Sequence, residues 1–272
     1  MPSSPRAPRS KNLHAASLES ALAHSTVPAV SRAAAILRLL GDSPEPLGVQ
    51  AIARDLGIVP STVLHILRTL AAEELVSVDP ATKLYSLGSG VLLLARAWLG
   101  GNRFATVVQP VLDEISRRHA VTAMGVQVVG LDHMLVVAIA RSEGMIQLHA
   151  QIGSRFPATI SATGRCLAAF GGLDAEELRR RFRKLRWDNA PSLTEWETQI
   201  AETRSRGYAI DRGNYIAGVT IVAAPVFGPG RLMTHSLVVI GIAGRIADRA
   251  LKRIGGELRD KALQLSGTGD SG

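Results

Sequence analysis

The stretch AIARDLGIVPSTVLHILRTL, residues 51–70, constrains this chain more than any other part of it. Two short helices joined by a tight turn need a small residue where they touch, a turn residue that tolerates positive φ, and an apolar anchor on the second helix. Ala53, Gly57 and Val63 stand in those places. The spacing predicts a first helix over Val49–Leu56 that stops at Gly57, and a second that opens at Pro60 with a Ser-Thr start. Val63, Ile66, Leu67 and Leu70 give the second helix a buried face. Next, VSVDPATKLYSLG reads as strand, turn and strand, with DPAT as the turn and Val76, Val78, Leu84 and Tyr85 as strand residues. The expectation is a helix-turn-helix followed by a two-stranded wing. A small helical bundle with a chance Ala-Gly-Val triplet is the alternative, and the wing argues against it.

Such a head projects Ser61, Thr62, His65 and Arg68 from its second helix and Lys83 from the wing tip. Short polar groups near a helix start meet phosphates or base edges in a major groove, and an arginine donates to phosphate or bidentately to guanine. Ser61 could equally cap the helix, and Arg68 could be an ordinary solvated arginine. The charge balance fits a nucleic-acid partner: 31 Lys and Arg against 23 Asp and Glu leave +8. Such an excess favours a polyanion through counterion release.

Composition also narrows the chemistry. The single cysteine, Cys166, cannot form an intramolecular disulfide, which suits a reducing cytoplasm. It stands in an Ala/Leu-rich segment, so a buried structural role is expected rather than a nucleophilic one. His119, His133, His149 and His235 lack metal-ligand spacing. No nucleophile, base and stabiliser come together in the pattern, so neither an enzyme nor a cofactor is expected. No apolar run reaches the ~20 residues of a membrane span.

Along the chain, residues 1–27 read as a disordered tail rich in Ser, Pro, Ala and basic residues. The winged head is expected over 28–88, opening with a helix marked by Ala33, Ile36, Leu37 and Leu40. The apolar helix VLLLARAWLGG forms a linker over 89–102. A second domain over 103–268 begins with a helix to His119 and two strands, VTAMGVQVVG and HMLVVAIA, joined by a Gly-Leu-Asp turn. A short MIQLHA strand, a loop carrying Pro157 and the helix SATGRCLAAF follow. Asp174 with Glu177 predicts a helix cap, and Thr194 with Glu197 a capping box. YAID, VTIVAAPVF and SLVVIGIA read as strands before a last helix over Ile246–Leu265. Helices mixed with antiparallel strands in this order predict an α+β sensor domain.

Several pieces in order, SRAAAILRLL, LGIVPSTVLHILRTL, LVSVDPATKLYSLGSGVLLLA, GSRFPATISATGRCLAAF, RGYAIDRGNYIAGVTIVAAPVF and GIAGRI, carry a resemblance. The chain resembles the IclR family of bacterial transcriptional regulators over nearly all of its length beyond the tail. The resemblance implies a winged helix-turn-helix, a linker helix and a C-terminal effector-binding domain of GAF-like fold. It implies a homodimer or homotetramer that binds operator DNA, represses or activates catabolic genes, and answers to a small organic acid or aromatic metabolite. It places the effector between the GSRFPATISATG loop and the last strands, near Thr159, Ser161, Ala162, Gly164, Asp211, Ile221, Val238 and Ile240. Asp211 would orient a polar ligand group, with backbone amides near Ala162 and Gly164 as an anion cradle.

The departures from the family pattern are specific. Val59-Pro60 and Leu64-His65 replace pairs that usually carry a basic residue, while Arg68 stands a turn later, so base preference should differ. Ile221 stands where a Cys is common in relatives that bind small polar acids, Val238 and Ile240 where serines are, and Thr159 where a His is. A small dianion would lose hydrogen bonds worth about 1–3 kcal/mol each there, so a larger, more apolar ligand such as an aromatic acid is expected. The alternative is that these positions are ordinary core. An architectural DNA binder, and a sensor acting through protein contacts, are the rival functions; the large β-rich second domain argues against the first and the helix-turn-helix against the second.

Overall fold

A computed structural model describes Leu22, residues 25–141 and residues 150–266. The expected basic tail lies mostly outside them, as does the MIQLHA run apart from Ala150. The chain divides into two compact units between Gly101 and Asn102.

The first unit opens with α1 (Pro28–Asp42), which has Pro28 in its first turn and buries Ala35, Ile36, Leu39 and Leu40. Helices α2 (Val49–Leu56) and α3 (Pro60–Ala72) close over the same core through Ile52, Ala53, Leu56, Val63, Leu67 and Leu70. Strands β1 (Val76–Val78) and β2 (Tyr85–Leu87) pair antiparallel, with Val76 opposite Leu87. Leu47 adds a bridge to Tyr85, so the ribbon is pinned to the segment between α1 and α2. Leu84 lies just outside the strand and is half-buried. A Cβ at Gly88 would stand 2.1 Å from the Glu74 carbonyl oxygen, so only glycine fits where the chain leaves the wing. Helix α4 (Gly90–Gly101) follows, with Leu92, Leu93, Leu94 and Trp98 exposed.

The second unit is a six-stranded antiparallel sheet in the order β5-β4-β3-β8-β7-β6. Its strands are β3 (Thr122–Val129), β4 (His133–Ala140), β5 (Arg155–Pro157), β6 (Ala209–Arg212), β7 (Val219–Phe227) and β8 (Met233–Ile242). Helices α5 (Arg103–His119) and α9 (Asp248–Leu265) cover one face, and α6 (Ser161–Phe170) covers the other. Alternation along β8 explains both cores. Leu237 and Val239 pack toward α5 and α9, while Val238 and Ile240 pack toward α6. Strands buried on both faces read as continuous apolar runs, and full burial of each Val, Leu or Ile is worth about 1.5–3 kcal/mol.

Two local expectations change. The capping box of α8 (Leu193–Arg206) is Ser192 with Glu195: the Ser192 hydroxyl accepts from the Glu195 amide at 3.2 Å and the Glu195 carboxylate from the Ser192 amide at 2.8 Å. Thr194 therefore lies inside the helix, and Glu197 pairs with Arg179 on α7 (Ala175–Phe182) at 2.8 Å. The Asp174 side chain accepts from the Glu177 amide at 2.8 Å, as the sequence pattern requires. Pro157, expected in a loop, ends strand β5 opposite His133. A proline is tolerated there because β5 is the sheet's edge and that amide need not donate.

Cys166 is fully buried in α6, and its thiol donates to the Ala223 carbonyl at 3.4 Å. Burial pushes the thiol up to about 12. At pH 8 the folded protein should therefore react with a thiol reagent only at its unfolding rate, and promptly in denaturant. Reaction of the native protein at the rate of an exposed thiol would contradict this placement.

Candidate functional site

Gly57 builds the turn of the head. Its φ of 66° and ψ of 28° are left-handed, and its amide bonds to the Ala53 carbonyl, closing α2. A Cβ there would meet nothing within 4 Å, so the requirement is conformational and not spatial. Ala53 and Val63 lie in the core between the helices, as the turn demands. Val59 is the N-cap of α3 and makes no side-chain capping bond, with Pro60 first in the helix. Ser61 is therefore not the cap. It is exposed at the helix start, where first-turn amides carry positive partial charge.

His65 and Arg68 are exposed as well, and Thr62 is half-buried, all clear of the core face of Val63, Leu67 and Leu70. On the wing, the Asp79 carboxylate accepts from the Ala81 amide at 2.8 Å and the Thr82 amide at 3.3 Å. Those bonds hold it below the usual carboxylate range. The turn they fix puts Lys83, exposed, in the left-handed region with φ 57°. Four of the expected contacts thus share one helix and the fifth sits on the ribbon beside it.

The second unit contains a cavity of about 360 Å³ between the sheet and the start of α6. Met124, Val136, Phe156, Ile221, Val238 and Ile240 give it apolar walls, and Ser154, Arg155, Ser161, Thr163 and Tyr215 add polar groups. Of the residues expected around an effector, Ser161, Ile221, Val238 and Ile240 line it. Thr159, Ala162, Gly164 and Asp211 do not. Thr159 is buried behind the lining against Gly164, where a Cβ would come within 2.0 Å of the Thr159 carbonyl carbon. Ala162 packs into the core under α6. The Gly164 amide already donates to the Ile160 carbonyl at 2.7 Å, so it cannot serve an anion cradle.

Asp211 is the larger correction. It is fully buried and accepts from Arg165 at 3.0 Å, so it faces an internal cation and not the cavity. Its other oxygen accepts from the amides of Asn214 at 2.8 Å and Tyr215 at 3.5 Å. Arg165, also fully buried, further donates to Gln199 and Asn214, each at 2.7 Å. Burial disfavours the Arg165 charge and lowers its pKa, with Asp211 opposing that shift. The pair anchors the loop that carries Tyr215 into the cavity wall. Burial likewise pushes the Tyr215 phenol up, keeping it protonated. One signal for this pair stood in the sequence: an arginine inside the apolar SATGRCLAAF helix needs a buried acid.

Comparison with known proteins bears on both units. Residues 29–80 match the IclR helix-turn-helix domain, and residues 97–267 match the family described as bacterial transcriptional regulator IclR C-terminal. The chain belongs to the IclR family. It is similar to the glycerol operon regulatory protein of Streptomyces griseus, 28% identical over 81% of this chain and 87% of that one. It is also similar to the HTH-type transcriptional regulator XynR of Escherichia coli, 26% identical over 88% of this chain and 96% of that one. Among solved structures, an IclR transcriptional regulator from Alicyclobacillus acidocaldarius superposes with a TM-score of 0.79, at 27% identity, over 89% of this chain and 98% of that one. The IclR-family chain is thus a ligand-responsive transcriptional regulator with a DNA-binding head, and its relatives are regulators and not enzymes. Among the described residues no group of His, Cys, Asp and Glu could hold a metal. None of their helices is long and apolar enough to cross a membrane.

Replacing Asp211 with Asn leaves Arg165 charged and buried without its counter-charge. The Asp211→Asn protein should lose about 3–5 kcal/mol of stability, read as an earlier midpoint in chemical denaturation. An unchanged midpoint would show that the pair does not hold the loop.

Proposed function

We propose that this regulator binds operator DNA as a homodimer or homotetramer in the cytoplasm and is controlled by an organic acid with an apolar body, held in the cavity between the sheet and α6. The single observation that carries the ligand assignment is the lining itself: branched aliphatics at Ile221, Val238 and Ile240 meet a few polar groups at the start of α6. A cavity so lined favours an aromatic or long-chain acid over a small dianion. In support, an IclR homolog from Microbacterium hydrocarbonoxydans with the same fold (TM-score 0.73, 16% identity, 88% of this chain and 97% of that one) was solved with 4-hydroxybenzoate. Relatives named for a glycerol operon favour catabolic genes as targets.

On the DNA side, Ser61, Thr62, His65 and Arg68 enter a major groove and Lys83 meets the backbone beside it. The exposed apolar residues of α4, Leu92, Leu93, Leu94 and Trp98, supply a surface that a second copy covers. Ligand binding then changes operator affinity by a coupling energy of about 1–3 kcal/mol, and DNA changes ligand affinity by the same factor.

The test joins both ends of the chain. The purified protein should bind its own upstream intergenic DNA over a scrambled competitor, with affinity falling as salt rises. Arg68→Ala should weaken that binding by about tenfold, and unchanged affinity would remove Arg68 from the interface. In a thermal-shift panel, aromatic acids should raise the melting temperature. Stabilisation by glyoxylate or pyruvate and by nothing larger would overturn the ligand assignment.

A further inference from the structure

The positive charge of this chain does not sit where its DNA-binding head does. Residues 1–101, which contain the head, hold nine Lys and Arg against seven Asp and Glu, a balance of +2. Within residues 25–101 the count is six against six. Residues 102–272 hold 22 against 16, a balance of +6. Duplex DNA carries one negative charge per ~1.7 Å, and affinity for it rests largely on cations that displace its counterions. A head without net charge supplies few of them. Of its five candidate contacts, only Arg68 and Lys83 are full cations at neutral pH.

The excess of the second unit is concentrated in one place. Six of the eight residues 179–186 are basic and none is acidic. Three of the six are occupied: Arg179 pairs with Glu197 at 2.8 Å, and Arg180 and Arg181 both pair with Glu177. Arg183, Lys184 and Arg186 are exposed and form no ion pair among the described residues. Apolar residues spaced between the cations fix the surface. Leu178 is buried with Trp196 and Ile200 of α8, and Phe182 and Trp187 pack against the same cluster. The ring centres of Phe182 and Trp196 are 4.9 Å apart. Past α7, the amides of Arg183, Lys184 and Leu185 donate to the carbonyls of Arg179, Arg181 and Phe182, and the Asn189 amide donates to Asn214 at 3.0 Å. The free cations therefore stand on an ordered turn. Like charges held this close repel one another, and a polyanion relieves that repulsion.

We propose that residues 179–186 form a second DNA-contact surface, in which Arg183, Lys184 and Arg186 neutralise phosphates of duplex DNA irrespective of sequence. This surface adds to the head and rests on the head binding DNA. It supplies counterion release that the uncharged head lacks, while base readout stays with the head. Arginine suits the task, because its guanidinium donates to phosphate bidentately. An acidic protein segment would also match the charge. DNA is favoured because this chain already binds it through a head that brings no net charge.

The experiment titrates full-length wild type and the triple variant Arg183→Gln/Lys184→Gln/Arg186→Gln against two duplexes over a series of salt concentrations. One duplex is the chain's own upstream intergenic DNA and the other a scrambled sequence of equal length. A second triple variant, Arg249→Gln/Lys252→Gln/Arg253→Gln, removes the same charge from exposed positions of α9. The first variant should bind both duplexes about tenfold or more weakly at low salt. Its slope of log affinity against log salt should be shallower by about 2–3, as three lost phosphate contacts require. Its preference for its own DNA should not change, because phosphate contacts carry no sequence information. The second variant should keep the wild-type slope. All six side chains are exposed, so both variants should melt with wild type. An equal loss in the two variants would trace the effect to net charge and overturn the surface. A wild-type slope in the first variant would overturn it too, leaving the head as the DNA-binding element. If that variant had instead lost a binding to polyglutamate that wild type shows, the partner would be an acidic protein segment. If wild type binds neither duplex, the reading of the head falls and the second surface with it.

Discussion

The buried pair of Arg165 and Asp211 ties together elements of the second unit that meet beside its cavity. Neither residue is exposed, and 3.0 Å separates the guanidinium nitrogen from the carboxylate oxygen. Taking both charges out of water costs several kcal/mol per ion, which only well-made bonds offset. Here Gln199 and Asn214 take further guanidinium donors, and the amides of Asn214 and Tyr215 donate to the carboxylate. Through these bonds α6, α8, β6 and the Asn214–Tyr215 loop are held to one another. The cavity borders two of them, the start of α6 and that loop.

A pair of this kind stabilises less than an apolar core of equal volume would, so its value lies in what it fixes. Arg165 sits one turn beyond Ser161, and Tyr215 lies just beyond Asp211 in the chain. The pair thus sets the distance between two polar groups on the cavity wall. Ser161, at the cavity wall, stands on the helix that this network restrains. Movement of α6 must then be shared with α8 and the loop, because their bonds run through one guanidinium.

The apolar walls come from a different cause. Strands β7 and β8 are buried on both faces, so Ile221, Val238 and Ile240 line the cavity while Val222, Leu237 and Val239 meet α5 and α9. From the run of apolar residues alone, a wall position and a core position look the same. What separates them is the gap left where α6 starts beside β5, and that gap depends on the sheet order. The family resemblance could name Ile221, Val238 and Ile240, but it also named Asp211, whose carboxylate this chain gives to Arg165.

The sequence by itself determined the head and the wing. Ala53, Gly57 and Val63 lie within a few turns of one another, and Asp79 fixes its own turn through neighbouring amides, so local chemistry settles these structures without help from distant residues. It likewise determined that the second unit is a sheet with helices, from alternating and continuous apolar runs. Only the tertiary structure decided which charges meet. Arg165 and Asp211 stand 46 residues apart in the chain, and β3 pairs with β8 across most of the domain. Residues so far apart in the chain meet only once the sheet closes. That closure consumes the Asp211 carboxylate, because pairing at a distance is set by packing and not by the residues on either side.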